Sequence, residues 1–193
     1  MKDFGREELE RALTVLGETL RARNLRFELV AVGGSSLLLL GLMHRPTQDL
    51  DIVALMRDGH PSTAVPLPDE LLTAASDVAA VLGLGPKWLN AESSGLFDLG
   101  LPRGFDERLE TRIYGGLVLH LAGRFDQIHF KVYAAADGMS PKHIDDLRRL
   151  TPSREELLAA GRWAMSHDVS MGFRMLLVRT LADLGVSDAD DEL

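Results

Sequence analysis

The sequence predicts an α/β fold: a small mixed β-sheet with flanking helices, followed by a C-terminal helical bundle. Three observations carry this prediction. Apolar runs of strand length alternate with helix-period segments only in the first two thirds of the chain. Within that part, the run Phe27 to Val32 breaks at Gly33-Gly34-Ser35, passes into a leucine-rich segment and returns at Asp49-Leu50-Asp51-Ile52-Val53, which parses as strand, turn, helix, loop, strand. After Gly123 only helical patterns remain, separated by breaks such as Asp137-Gly138 and Thr151-Pro152. The expected division is an α/β core over 1–123 and a helical region packed on it over 124–193, ending in an acidic tail, 188–193.

Taken in order, Leu9, Leu13, Leu16 and Leu20 recur at three- and four-residue steps and define an amphipathic helix from Arg6 to Arg23. The cluster Arg21, Arg23 and Arg26 reads as cations placed favourably at that helix's C-terminus, with RNA contact as the alternative. After the central stretch, Gly59 to Thr63 and Pro66-Leu67-Pro68 read as loop. Asp69 to Leu82 reads as a helix with Leu71, Leu72, Ala75, Val78, Ala79 and Leu82 inward. Lys87 to Asn90 suits a short strand, and Glu92 to Asp106 a Gly-rich loop. Gly115-Gly116 between Thr111–Tyr114 and Leu117–Leu121 signals a hairpin, which supplies the outer strands of the sheet. Helices are then expected over 124–136, 140–150, 151–167 and 170–184, two of them opened by Ser or Thr followed by Pro.

Composition narrows the function classes. The 193 residues suffice for one core with a helical appendage, and an apolar fraction of 46% is ordinary for a soluble protein. No stretch approaches the roughly 20 apolar residues of a membrane span, and the opening MKDFGREELERAL is charged rather than signal-like, so a cytoplasmic protein without a membrane partner is expected. Without cysteine there is no thiolate catalysis and no Cys-ligated zinc. The six histidines lack the close pairs that zinc favours, and His120 and His129 read as core or hydrogen-bonded residues. Met165, Met171 and Met175 read as packing. A formal charge of −8 argues against broad, sequence-independent nucleic-acid binding.

The chemistry concentrates between Gly33 and Asp51. Residues i and i+2 of a strand share a face, so Asp49 and Asp51 project together while Leu50 and Ile52 point to the core. Two carboxylates on one face call for a cation, and Mg2+ is the hard ion that one or two carboxylates hold together with substrate phosphates. Gly33 and Gly34 allow close backbone approach, and Ser35 or Ser36 can cap the next helix, whose N–H groups would attract an anion.

Val32-Gly33-Gly34-Ser35 followed by Asp49-Leu50-Asp51-Ile52 resembles the signature of the DNA polymerase β-like nucleotidyltransferase superfamily, at or slightly beyond the long end of its spacing. Arg45-x-Thr47-x-Asp49-Leu50-Asp51 is similar to its small bacterial branch, which includes AbiEii-type toxins. The resemblance implies Mg2+ on Asp49 and Asp51, and a nucleoside triphosphate bound by Gly33, Gly34, Ser35, Arg45 and Thr47. It further implies transfer of a nucleoside monophosphate to a hydroxyl of RNA or protein, and a toxin role with a partner antitoxin. Lys131 and Asp146 match a helical lysine thought to contact phosphates and an aspartate at the site's rim; a solvated helix face and a salt-bridged surface are the plainer readings. The family's third carboxylate has no clear counterpart; Glu110 is the first choice, then Glu92 and Asp106. The alternative is a non-catalytic nucleotide-binding module acting as a regulator or antitoxin.

Overall fold

Helix α1, Arg6–Ala22, lays the leucine stripe predicted from its spacing against a sheet, and Leu9, Leu13, Leu16 and Leu20 are all fully buried. The computed structural model describes residues 5–138 and 141–193, of which helices take 55% and strands 17%. The chain divides into two compact units, residues 1–123 and 124–193.

The first unit is α/β. Its strands are β1, Phe27–Val32; β2, Leu50–Arg57; β3, His60–Thr63; β4, Leu89–Asn90; β5, Glu110–Tyr114; and β6, Leu117–Leu121. They form one mixed sheet in the order β3-β2-β1-β6-β5, with the short β4 also paired to β2. β1 runs antiparallel to β2 and parallel to β6. The hairpin β5–β6 forms as its Gly-Gly turn predicts, but only β5 lies at an edge, because β6 pairs with the central β1. The segment expected as a loop before Thr63 is strand β3. Asp58 and Gly59, both at positive φ, close a two-residue turn, and Pro61 is tolerated because β3 is an edge strand.

Helix α2, Gly33–Leu39, follows β1 directly, and α3, Asp69–Leu82, has the expected bounds. Leu72 of α3 faces outward and Ala74 takes an inward place, a shift of the buried stripe by part of a turn. The expected loop from Glu92 to Asp106 contains a 3-10 turn, Glu92–Ser94, and a short helix α4, Gly95–Leu99, each too brief to show a period. Trp88, fully buried, donates from Nε1 to the Ala75 carbonyl at 2.9 Å and ties the chain before β4 to α3.

Two contacts lock α1 onto the sheet. At Gly17 a Cβ would fall 1.7 Å from the Tyr114 carbonyl oxygen, so only glycine permits this approach of helix to hairpin, and Gly116 N–H donates to the Gly17 carbonyl at 2.8 Å. Glu10 accepts from Arg112 Nη1 and from Tyr114 Oη, both at 2.6 Å. Burial, reinforced by the Glu10 carboxylate, pushes the Tyr114 hydroxyl up to about 12. Arg112 Nη2 also donates to the Leu39 carbonyl at 2.6 Å, which holds the end of α2.

The second unit consists of α5, Arg124–Gly138; α6, Pro141–Leu150; α7, Arg154–Met165; and α8, Met171–Asp183. Pro141 opens α6 as the sequence suggests, whereas Ser140 lies outside the described residues. The Thr151-Pro152 start is displaced: the N-cap is Ser153, whose Oγ accepts from Glu156 N–H at 3.2 Å while the Glu156 carboxylate accepts from Ser153 N–H at 2.8 Å. This reciprocal capping box outcompetes the Pro signal two residues earlier. Arg124 pairs with Glu156 and donates to the carbonyls of Leu150 and Thr151, and that bond holds the Glu156 carboxyl below its usual range. The acidic residues 188–193 are folded: Val186 and Ala189 are buried, and a 3-10 turn spans Ala189–Asp191.

Among the described residues no helix is long and apolar enough to cross a membrane.

Candidate functional site

The Gly33 turn and the Asp51 strand meet through strand register. β1 and β2 pair as Leu29↔Leu55 and Val30↔Ala54, then shift by one residue to Ala31↔Ile52 and Val32↔Asp51. The irregularity leaves Val53 as the extra residue, a β-bulge of the kind that re-aims a side chain at the end of a ladder. Beyond it Asp51 stands opposite Val32, the N-cap position of α2.

The carboxylate points at the glycine. A Cβ on Gly33 would lie 2.9 Å from Asp51 Oδ2, closer than real Cβ contacts, and Gly33 has φ +76, a left-handed conformation that L side chains resist. Space and backbone geometry both demand glycine there. Gly34 differs: its φ is not positive, and a Cβ would meet Thr47 Oγ1 at 3.5 Å and Arg45 Nη2 at 3.7 Å in ordinary contact. Thr47 Oγ1 in turn lies 3.3 Å from the Asp49 carbonyl and 3.4 Å from Asp49 Oδ1. Gly33, Gly34, Arg45, Thr47, Asp49 and Asp51 therefore come together at one end of the sheet, with both aspartates half-buried and Leu50 and Ile52 fully buried on the core side.

The serines do not take the place the sequence suggests. Helix α2 begins at Gly33 itself, so neither serine is a cap; both are fully buried. Ser35 Oγ faces the Val32 carbonyl and Ser36 Oγ the Ala122 carbonyl, each at 3.5 Å. The cause is the Gly33 conformation, which turns the chain into helix two residues early. His44, beside this cluster in sequence, is exposed.

No family model, no curated protein and no solved structure matches this chain.

The acidic candidates separate by topology. Glu110, exposed at the start of β5, pairs with Leu121, which pairs with Ala31, which pairs with Ile52. Three strand steps of about 4.8 Å put Glu110 about 14 Å across the sheet from β2, too far to share with Asp51 an ion whose ligands sit about 2.1 Å away. Asp106 is exposed in a 3-10 turn, Asp106–Arg108. Glu92 is the acid nearest in topology, because β4 pairs with β2 and sets Asn90 opposite Asp51. Asn90 Oδ1 accepts from the Glu92 N–H at 2.8 Å, and the Glu92 carboxylate pairs with Lys87 at 2.9 Å, which raises the Lys87 pKa. Sequence reading missed Asn90, which no motif marks, and the Val53 bulge, which only register reveals.

The donor set at Asp49 and Asp51 is all oxygen, the type that Mg2+ prefers, although among the described residues no group of three or more His, Asp or Glu side chains forms a metal cluster. Two carboxylates suffice for an ion whose remaining ligands are water and substrate phosphates.

In the helical unit Lys131 is not a solvated residue. Its Nζ donates to Asp146 Oδ2 at 2.7 Å from one buried side chain to another. Asp146 is likewise not part of a surface ladder; the exposed pair on that helix is Arg148 with Asp145. The two histidines expected to be core or hydrogen-bonded each have a partner on Nδ1: His129 Nδ1 lies 2.8 Å from the Phe125 carbonyl and His120 Nδ1 2.9 Å from Thr111 Oγ1, while His120 Nε2 is buried without a hydrogen bond among the described residues. Met171 and Met175, expected to pack, are 74% and 69% exposed. The arginines at the end of α1 are paired, Arg21 with Glu18, Arg23 with Asp77 and Arg26 with Glu28.

Proposed function

We propose that the chain is a Mg2+-dependent nucleotidyltransferase that moves a nucleoside monophosphate from a nucleoside triphosphate to an acceptor hydroxyl on RNA or protein. The observation that carries this is the approach of the Asp51 carboxylate to within contact of a glycine held at φ +76, beside Thr47 and Arg45. Bulges that re-aim a side chain are frequent beside active sites, and here one turns a carboxylate toward a left-handed glycine, which supports a ligand site at this strand end.

Asp49 and Asp51 would hold Mg2+, which when bound neutralises triphosphate charge. Thr47 and Arg45 line the turn at Gly34, and the Arg45 guanidinium would pair there with phosphate oxygens. Thr47 braces Asp49 through its hydroxyl. In the transfer the acceptor oxygen bonds to the α-phosphorus, the bond from that phosphorus to the oxygen bridging to the β-phosphate breaks, and pyrophosphate leaves. The acceptor proton would pass to Glu92, two residues beyond the Asn90 that pairs with Asp51, once that carboxylate is released from Lys87.

The test separates the acids. Glu92→Gln should leave nucleotide affinity within a few-fold and lower turnover roughly a hundredfold, the scale of a lost acid–base group, while Glu110→Gln should change neither. Equal losses from both, or none from Glu92→Gln, reject the assignment of Glu92.

The engagement of Glu92 by Lys87 favours one second reading, a nucleotide-binding regulator or antitoxin without transfer activity. A wild-type protein that binds triphosphate with Mg2+ and transfers nothing to any acceptor decides for it.

A further inference from the structure

In the helical unit, three arginines on two helices take their ion-pair partners from one six-residue stretch. Arg154 meets Asp188 at 2.6 Å and Glu192 at 3.6 Å, Arg162 meets Glu192 at 3.4 Å, and Arg174 meets Asp190 at 2.9 Å. The acids at 188, 190 and 192 lie in and beside the 3-10 turn Ala189–Asp191, so a single short segment addresses all three guanidinium groups. Arg154 and Arg162 stand eight residues apart on α7, about 12 Å along the axis.

These pairs do not hold the segment down. Except for Arg174, the partners are 41% to 71% exposed, and exposed pairs contribute little to stability. The anchors are apolar: Val186 and Ala189 are buried, and Leu193 Cδ2 lies 2.8 Å from where a Cβ of Gly161 would stand. The carboxylates can therefore be exchanged for another anion at small cost. They also decide the sign of the local charge. Residues 124–187 carry nine basic and eight acidic side chains, and 188–193 add four acids.

A third feature lies next to Arg174. Met171 and Met175, one turn apart on α8 and flanking Arg174, are 74% and 69% exposed. Soft apolar side chains in that position suit the faces of unstacked bases, which a duplex does not offer. Guanidinium groups that take carboxylates take phosphates by the same bidentate geometry.

We propose that Arg154, Arg162 and Arg174, with Met171 and Met175, form a binding surface for single-stranded nucleic acid, and that the acidic segment 188–192 occupies it as an internal competitor. This stands independently of the nucleotidyltransferase reading, since it concerns binding to α7 and α8 and needs neither Asp51 nor a nucleotide. The mildly acidic whole chain hides a cationic surface behind its own carboxylates.

The test uses the full chain and fluorescein-labelled 20-mer oligonucleotides in anisotropy titrations at low salt. The variant Asp188→Asn/Asp190→Asn/Glu192→Gln keeps the apolar anchors and should bind single-stranded RNA at least tenfold tighter than wild type, with affinity falling as salt rises. Adding Arg154→Gln, Arg162→Gln and Arg174→Gln should abolish the gain, and Met171→Ser/Met175→Ser should reduce it for single strands. An RNA and a DNA strand of the same sequence distinguish the two sources of phosphate backbone. No gain, a gain that survives loss of the arginines, or a greater gain for duplex or an acidic peptide overturns the proposal. If the acid variant fails to fold, hydrogen exchange on wild type decides: saturating single-stranded RNA should raise exchange across 186–193, and unchanged or slowed exchange overturns the claim.

Discussion

Two sets of charged side chains, one in each unit, sit in different surroundings. In the α/β unit Asp49 and Asp51 stand half-buried at the end of β2, against a glycine turn forced open by φ +76. In the helical unit Lys131 and Asp146 sit inside the fold and are satisfied by each other at 2.7 Å, and Arg124 is consumed by Glu156 and two helix-end carbonyls. Buried charges paired within the helical unit act as structure; the half-buried carboxylates beside the Gly33 turn stay reachable from solvent. The difference teaches where chemistry should be sought, and it can be broken one residue at a time.

The largest effect is expected where pairing is internal. Lys131→Met leaves the Asp146 carboxylate buried without its cation and should cost about 3–5 kcal/mol in urea unfolding. Lys131→Met with Asp146→Leu should restore much of that loss. A single variant that unfolds within 1 kcal/mol of wild type, on the order of one exposed ion pair, would place Lys131 among the externally directed charges instead.

The next effect contrasts adjacent glycines. Gly33→Ala forces a Cβ into Asp51 Oδ2 at a left-handed φ and should destabilise by about 1–2 kcal/mol and weaken triphosphate binding. Gly34→Ala meets only ordinary contacts in a helix and should be neutral or stabilise by up to about 1 kcal/mol. Thermal melts with and without nucleotide check both; equal behaviour of the two variants removes the special standing of Gly33.

Tyr114 gives a smaller, pH-dependent effect in the α/β unit. Its folded pKa, about 12, lies above the ordinary value of 10.0, so the protonated form is favoured by folding. That stability is fully present below pH 10 and is lost as pH rises through 12. Tyr114→Phe should cost about 1 kcal/mol at neutral pH and flatten the alkaline loss. Smallest of all, Glu192→Gln should change stability by less than about 1 kcal/mol, because its pairs with Arg154 and Arg162 are exposed.

How legible this was in the sequence follows the range of each interaction. The helices α1 and α3 and the β5–β6 hairpin are legible from local periodicity and turn chemistry, which act within a few residues. The meeting of Gly33 with Asp51 was legible as a motif, but the bulge that aims Asp51 is a register event between strands and leaves no local trace. The placing of Glu110 failed for the same reason: nothing in Glu110–Tyr114 says that two strands separate it from β2. Ser35 and Ser36 read as caps because serine is a common N-cap type, but α2 starts at Gly33 with Val32 in the cap position, which places both serines inside the helix. Ser153 was missed because Thr151-Pro152 gives the same signal two residues earlier. The acidic segment 188–193 reads as a tail by composition, and its order comes from Val186, Ala189 and Leu193, too few apolar residues to show a period.

The central claim is that Asp51 and the Gly33 turn serve nucleotidyl transfer. The most direct measurement incubates the protein with α-labelled nucleoside triphosphates, Mg2+ and either total RNA or total protein, and follows label in the acceptor together with pyrophosphate. The account predicts Mg2+-dependent transfer of label with matching pyrophosphate release, lost in Asp51→Asn although that variant remains folded. Transfer that persists in Asp51→Asn, or pyrophosphate and labelled monophosphate released to water with no labelled acceptor, would contradict it.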